Sequence, residues 1–260
     1  MPSVVDFGRT SSDYSKHRQG FPDAFFTRLA REGVLRPGLR AVDVGSGTGT
    51  VARGLARHGC SVTATDISEN MLSAACQLAS DAALSMDFRE APAEATGLPA
   101  SAFDLVTAGQ CWHWFYRPAA AREALRLLVP GGRLIIAHLD WLPLPGNVVE
   151  ATEALMSAFN PDPPDHARFG CGVGLYPQWL RDVTDAGFTP LETFSFDVLL
   201  PYTHESWRGR CRASALVAAT LPPDDVERFD AAHARLLAES FPQDTLDIPH
   251  RVFALLATRP

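Results

Sequence analysis

The hydrophobic pattern of this chain alternates between strand and helix periods. Ala41, Val42 and Val44 form a short apolar run that ends in Gly45-Ser46-Gly47-Thr48-Gly49. An amphipathic stretch of helical period follows, and then a β-branched run, Ser61-Val-Thr-Ala-Thr, closes on Asp66. Strand, glycine loop, helix and strand in this order form a β-α-β unit whose first turn brings backbone close to a ligand. Glycine supplies φ > 0 where the turn needs it and lacks the Cβ that would hold a bound molecule away. A helix that starts in such a loop offers unpaired N–H groups to a polar or anionic group. A carboxylate at the end of the second strand can accept two hydrogen bonds from a ribose diol.

The alternation continues on both sides. Phe25, Phe26 and Leu29 share one side of a predicted helix over 22–33. After Asp66, Ser68 caps a helix in which Met71, Leu72, Ala75, Leu78 and Ala79 recur at helical spacing. Further strands are predicted at 85–90, 103–110 and 134–137, the last running on into His138-Leu-Asp-Trp141. Two more follow at 188–200 and 250–257. Helices are predicted over 118–129 and 147–159, from about 174 to 187, and over 223–239. Residues 160–174 are rich in proline and glycine, the composition of a long loop of the kind that serves as lid or binding segment. The fold class is α/β, one domain over 1–260 with insertions.

Composition narrows the class. With 260 residues, 46% hydrophobic and 20% charged, the chain suits a soluble globular domain. A net charge of −7 argues against a nucleic-acid partner, because phosphate neutralisation needs a basic surface. The five cysteines are odd in number and form no Cys-x-x-Cys pair, so neither a disulfide framework nor a zinc site is indicated. Cys60 and Cys76, in apolar contexts, read as core thiols. The first residues lack the basic and apolar regions of a signal peptide, and no apolar run reaches membrane-spanning length. A cytoplasmic protein without membrane partner, monomeric or homodimeric, is expected.

The spacing of the glycines discriminates further. It is G-x-G-x-G, with Asp43 two residues before the first glycine and Thr50 where a dinucleotide fingerprint has its third. Downstream come the turn Ala91-Pro-Ala-Glu-Ala-Thr-Gly-Leu-Pro99 and Leu128-Val-Pro-Gly-Gly-Arg-Leu134. In this order the chain resembles the class I S-adenosylmethionine-dependent methyltransferases. Within them it is similar to the type 11 group, in its trans-aconitate-like branch or a natural-product relative. The resemblance covers 39–139 well and the rest loosely. It implies a Rossmann-like, seven-stranded, mostly parallel sheet with the last strand antiparallel between the fifth and sixth. It also implies an N-terminal lid at 1–33 and helical cap insertions at 142–175 and 201–247.

S-adenosylmethionine is the implied cofactor and S-adenosylhomocysteine its product, with no metal expected. Asp43, Gly45, Ser46, Gly47 and Gly49 would form the cofactor loop, and Asp66 would hold the ribose. Ile67 and Met71 would line the adenine, with Ala93 and Glu94 in the turn where Pro92 takes the place of a common aspartate. Gly109 and Gln110 would face the cofactor from the fourth strand, and Tyr14 and Arg18 from the N-terminal arm.

The acceptor side is marked by Cys111-Trp-His-Trp-Phe115, directly after the fourth strand, where open α/β sheets meet their ligands. Methyl transfer from a sulfonium is an in-line displacement that needs positioning, and it needs a base only when the nucleophile carries a proton. His113 and His138, each at a strand's C-terminal end, are the candidate bases. Trp112, Trp114, Trp141, Tyr176, Trp179 and Tyr202 are candidate substrate contacts, with cap core as the competing reading of each ring. Arg208, Arg210 and Arg212 read as surface ion pairs, with one of them or Arg18 available for an acceptor carboxylate. The expected function is methylation of an oxygen or nitrogen on a small acceptor, aromatic or heterocyclic. The alternatives are carboxylate methylation of a small acid, which needs no base, and a non-catalytic S-adenosylmethionine-binding protein. A nicotinamide-dependent reductase is opposed by Thr50 and the Pro-Gly-Gly turn.

Overall fold

The structure is a computed structural model that describes residues 19–162 and 173–260. The apolar run before the glycine loop becomes β1 (Arg40–Val44), buried from Ala41 onward. It lies between two parallel partners, β2 (Ser61–Asp66) and β4 (Phe103–Gly109). Strands covered on both edges and both faces read as continuous apolar runs, which is why 41–44 and 105–108 show no alternation. Then come β3 (Asp87–Glu90), β5 (Leu128–Trp141), β6 (Leu191–Thr203) and β7 (Thr245–Thr258), giving a seven-stranded sheet of order β3-β2-β1-β4-β5-β7-β6. The order reverses between β1 and β4, so their carboxyl ends flank the crevice where open α/β sheets take ligands.

The strand β7 runs antiparallel to both neighbours. Gly131 N–H donates to Arg259 O and Leu142 N–H to Pro249 O on one side, and Thr189 N–H to Thr258 O on the other. The Pro130-Gly-Gly turn proves to be a bulge inside β5. Register jumps from Phe103↔Leu128 to Leu105↔Arg133, so Val129–Gly132 is accommodated opposite Asp104 alone. Gly131 has φ +77, and a Cβ on Gly132 would come within 2.9 Å of the Val129 carbonyl.

The α-helices among the described residues are α1 (Asp23–Arg31), α2 (Thr50–Arg57), α3 (Glu69–Asp81), α4 (Arg117–Leu127), α5 (Val148–Phe159), α6 (Gln178–Asp185), α7 (His204–Arg212) and α8 (Pro223–Ser240). Helix α7 is absent from the sequence reading. Its start is set by Thr203, whose hydroxyl accepts from Ser206 N–H at 3.1 Å, the N-cap geometry that closes a first turn. Cys76, expected in the core, lies on the outer face of α3 and is exposed.

The chain divides into two compact units. The larger comprises 20–139, 175–196 and 252–260 and contains β1 to β4 with α1 to α4 and α6. Its core joins Val42, Val106, Ile136 and Leu255 to Trp112 and Trp179. Helix α1 is part of that packing: a Cβ on Gly54 of α2 would meet the Phe26 ring at 2.0 Å. Residues 23–31 of the expected lid are therefore a packed layer, and residues 1–18 lie outside the described residues. Gly109 is an equally tight approach, with Val51 Cγ2 2.4 Å from the place of a Cβ. Gly109→Ala is expected to lower stability by about 1–3 kcal/mol through overpacking, read as a drop in denaturation midpoint at constant m-value.

The smaller unit, over its described residues, comprises 140–162, 173–174 and 197–251 with Gln19. Its centre holds α5, α7 and α8 around Trp207, Phe229 and Leu237. One buried polar junction ties the three helices together. Thr152 Oγ1 donates to Val148 O at 2.7 Å and accepts from Trp207 Nε1 at 3.1 Å. Its single proton is thereby used, so His233 Nε2, 3.1 Å away, must be the donor of that pair.

Candidate functional site

Glycines 45, 47 and 49 all have positive φ, at +63, +54 and +75. Their reasons differ. A Cβ on Gly45 would stand 2.7 Å from the Phe115 ring and 3.0 Å from Cys111 Sγ, so the segment after β4 packs directly on the loop. At Gly47 nothing among the described residues lies within 4 Å of that position, which leaves room at the loop's apex. Gly47 N–H donates to Asp66 Oδ2 at 2.8 Å, and Ser68 N–H donates to Oδ1 at 2.9 Å. Ser46 N–H adds a bond to Thr65 O at 2.9 Å. The loop is thus clipped to the end of β2, and each Asp66 oxygen keeps a second acceptor position for a diol. Among the described residues the buried Ser46 hydroxyl has no hydrogen-bond partner. A buried hydroxyl of this kind calls for an acceptor or donor from a ligand or water.

Several expected cofactor contacts are corrected by burial. Asp43 is 1% exposed. Its carboxylate accepts from Thr107 Oγ1 at 2.6 Å and from the Ala52 amide, so it ties β1 to β4 and caps α2 from below. Burial pushes its pKa up to about 7, against the lowering effect of those two donors. Met71 packs on the inner face of α3, and Gly109 is explained by the approach of Val51. Ile67, by contrast, is 72% exposed beside Asp66.

The turn after β3 is held from α4. Glu123 Oε1 accepts from Thr96 N–H and Thr96 Oγ1 at 2.9 and 2.6 Å, and Arg126 Nη2 donates to Leu98 O at 2.7 Å. Within that turn Ala93 is buried, and Glu94 Oε1 accepts from Tyr116 N–H at 2.8 Å, fastening the turn to the segment after β4. At the end of β4, Gln110 adopts φ +61. A non-glycine residue in the left-handed region is strained, and such strain clusters at functional sites. Its N–H is bonded to Ala137 O at 2.9 Å. Tyr14 and Arg18 lie outside the described residues.

On the acceptor side the structure brings together the two histidines that the sequence separates by 25 positions. The rings of His113 and His138 meet edge to face at 5.3 Å, and Trp114 lies 4.8 Å from His113. Tyr176 OH is hydrogen-bonded to His138 Nδ1 at 3.0 Å, and its ring stacks on Trp179 at 3.9 Å and 7°. Tyr176 is thereby corrected from a substrate contact to the partner of His138. No spacing in the sequence announces this pair, because the two residues come from different elements.

Other rings are core. Trp112 and Trp179 are 1% and 0% exposed, and Trp112 Nε1 donates to Asp182 at 3.1 Å. Packing already surrounds both, so neither is a surface for substrate. Tyr202, in the smaller unit, is buried against Trp207 and stacked on His250. Trp141 donates from Nε1 to Glu153 at 2.6 Å, with the Arg210 guanidinium 4.6 Å over its ring. Arg208 and Arg212, four apart on α7, both bind Asp230.

A family model described as a methyltransferase domain matches residues 42–136. The chain is 34% identical over 123 residues to a ubiquinone/menaquinone biosynthesis C-methyltransferase of Laribacter hongkongensis, covering 45% of this chain and 50% of that protein. It is 28% identical over 184 residues to a ubiquinone biosynthesis O-methyltransferase of Xanthomonas oryzae pv. oryzae, covering 68% and 72%. The chain therefore spans about half the length of the first of these relatives. In fold it is similar to phosphoethanolamine N-methyltransferase 2 of Haemonchus contortus, solved with S-adenosyl-L-methionine. That similarity has a TM-score of 0.58 at 18% identity and covers 98% of this chain and 56% of that one.

Proposed function

We propose, from the match of residues 42–136 to a methyltransferase-domain model, that this chain is a class I S-adenosylmethionine-dependent methyltransferase. It transfers a methyl group from S-adenosylmethionine to an oxygen or nitrogen of a small aromatic or heterocyclic acceptor. One observation carries the donor half of this reading: the open apex at Gly47 and the Ser46 hydroxyl, without a partner among the described residues, stand on a loop clipped to the Asp66 carboxylate at the end of β2. These residues fit the cofactor, Asp66 taking the ribose diol and the loop amides and Ser46 the polar remainder. The group supplies an activated methyl on a sulfonium.

The chain's own part is positioning and proton handling. Ile67 offers an exposed apolar surface for the adenine beside Asp66. Gln110, whose backbone is set by its bond to Ala137, turns the chain from β4 toward the His113 segment. The His113 imidazole stands against both Trp114 and His138, which supports an aromatic acceptor whose O–H or N–H gives up a proton. Relatives named as C- and O-methyltransferases of ubiquinone biosynthesis support a small-molecule acceptor.

Calorimetric titration with S-adenosylhomocysteine tests the reading. Stoichiometric binding is expected. A folded sample, stripped of copurified ligand, that takes up none would end it.

A further inference from the structure

We propose that Tyr176 is a positioning residue that fixes His138 as the neutral tautomer protonated on Nε2, leaving proton acceptance to His113. The proposal rests on the methyl-transfer reading for its purpose, but its physical content is independent of it. Tyr176 OH and His138 Nδ1 are 3.0 Å apart, and the two residues are 5% and 7% exposed. The direction of this bond follows from chemistry. A phenolic O–H is a strong donor, whereas its oxygen lone pair is drawn into the ring and accepts poorly. The sp² nitrogen of a neutral imidazole is a strong acceptor. The favourable arrangement therefore sends the Tyr176 proton toward Nδ1.

A neutral imidazole carries one proton, so it must then sit on Nε2. In that state His138 presents an N–H on its far side and has no lone pair to offer an acceptor's proton. His113 is the other imidazole of the pair, 5.3 Å away and partly exposed, on the turn that follows β4. An acceptor O–H or N–H would pass its proton to a ring nitrogen of His113, leaving imidazolium there, while His138 donates a hydrogen bond. Two histidines that look equivalent in the sequence thus take opposite roles.

Tyr176 is built to hold this arrangement. Its ring lies parallel to Trp179 at 3.9 Å, and Phe253 packs on the pair at 5.7 and 6.0 Å. A ring wedged in this way cannot swing its hydroxyl off His138 without breaking the stack. Replacing Tyr176 by phenylalanine keeps the wedge and deletes the hydroxyl that faces His138 Nδ1.

The test is long-range proton–nitrogen correlation spectroscopy of the full chain, labelled with 15N on histidine, at a pH above neutrality. His138→Gln assigns the His138 signals by their loss. The expected wild-type pattern is a pyridine-type Nδ1 and a pyrrole-type Nε2 at His138. Tyr176→Phe is expected to change the tautomer ratio about fivefold toward Nδ1–H, the effect of deleting one ordinary hydrogen bond. A pyrrole-type Nδ1 in the wild type, or an unchanged ratio in Tyr176→Phe, would overturn the proposal. S-adenosylhomocysteine titration of both proteins separates the two questions. Equal affinity with an altered ratio supports the positioning role, whereas absence of binding by the wild type rejects the methyl-transfer reading and leaves the tautomer result to stand or fall by its own spectra.

Discussion

Asp66→Ala is expected to weaken S-adenosylhomocysteine binding about 100-fold, the loss of two charge-assisted hydrogen bonds at roughly 1.5 kcal/mol each. The carboxylate has two tasks. It would accept the ribose diol, and it already accepts Gly47 N–H at 2.8 Å and Ser68 N–H at 2.9 Å. Alanine removes the ligand contact and also releases the apex of the loop, where glycine at φ +54 has little to hold it. Asp66→Asn should fall between, at about tenfold, because the amide keeps one acceptor and turns a donor toward an N–H that needs an acceptor. Calorimetry reads both variants, and far-UV dichroism checks that the sheet is intact. A dissociation constant unchanged in Asp66→Ala would refute the ribose role of this residue.

The glycine loop proposed for the donor and the turns around it were legible because their form depends on local features. Glycine spacing, a strand that ends on an acid and a Pro-Gly-Gly bulge are each set by backbone requirements within a few residues. Side-chain direction across the sheet was not legible. Asp43 looked like a loop residue, yet its place in register opposite Thr107 turns it into the core. Trp112 and Trp114 lie two positions apart on one 3₁₀ turn, and one is 1% exposed while the other is 36% exposed. Composition marks both as aromatic and cannot tell the wedge from the rim. The partnership of His138 with Tyr176 joins residues 38 positions apart and has no periodic signature. Helix α7 was missed for a related reason: a single Thr203 cap and the buried Trp207 decide it, and its charged sequence carries little amphipathic pattern.

Mild acid is expected to open the unit of α5, α7 and α8 while leaving the sheet unit intact. Burial pushes His233 and His250 down to about 4 from an ordinary value of 6.5. Arg208, Arg212 and His204 around His233, and Arg210 beside His250, add to the lowering, while Asp230 and Asp140 oppose it. Between those values the unfolded segment binds two protons that the folded one refuses, so stability is lost as pH falls from about 6.5 toward 4. Two such groups amount to about 7 kcal/mol at most, comparable with the whole stability of a domain. Asp43, in the other unit, has the opposite sign. Its pKa is raised from 3.8 to about 7, so its contribution is fully present in acid and lost as pH rises through 7. Acid therefore loosens one unit and tightens the other. Hydrogen exchange corrected for intrinsic rates should show protection falling around Thr152, Trp207 and His233 while that of 42–44 and 105–108 holds. His233→Gln keeps a donor for Thr152, and His250→Asn keeps one for Ile248 O, now 2.9 Å from Nδ1. The double variant should lose most of the acid sensitivity, and equal loss of protection in both units, or an unaltered pH profile in that variant, would contradict the assignment.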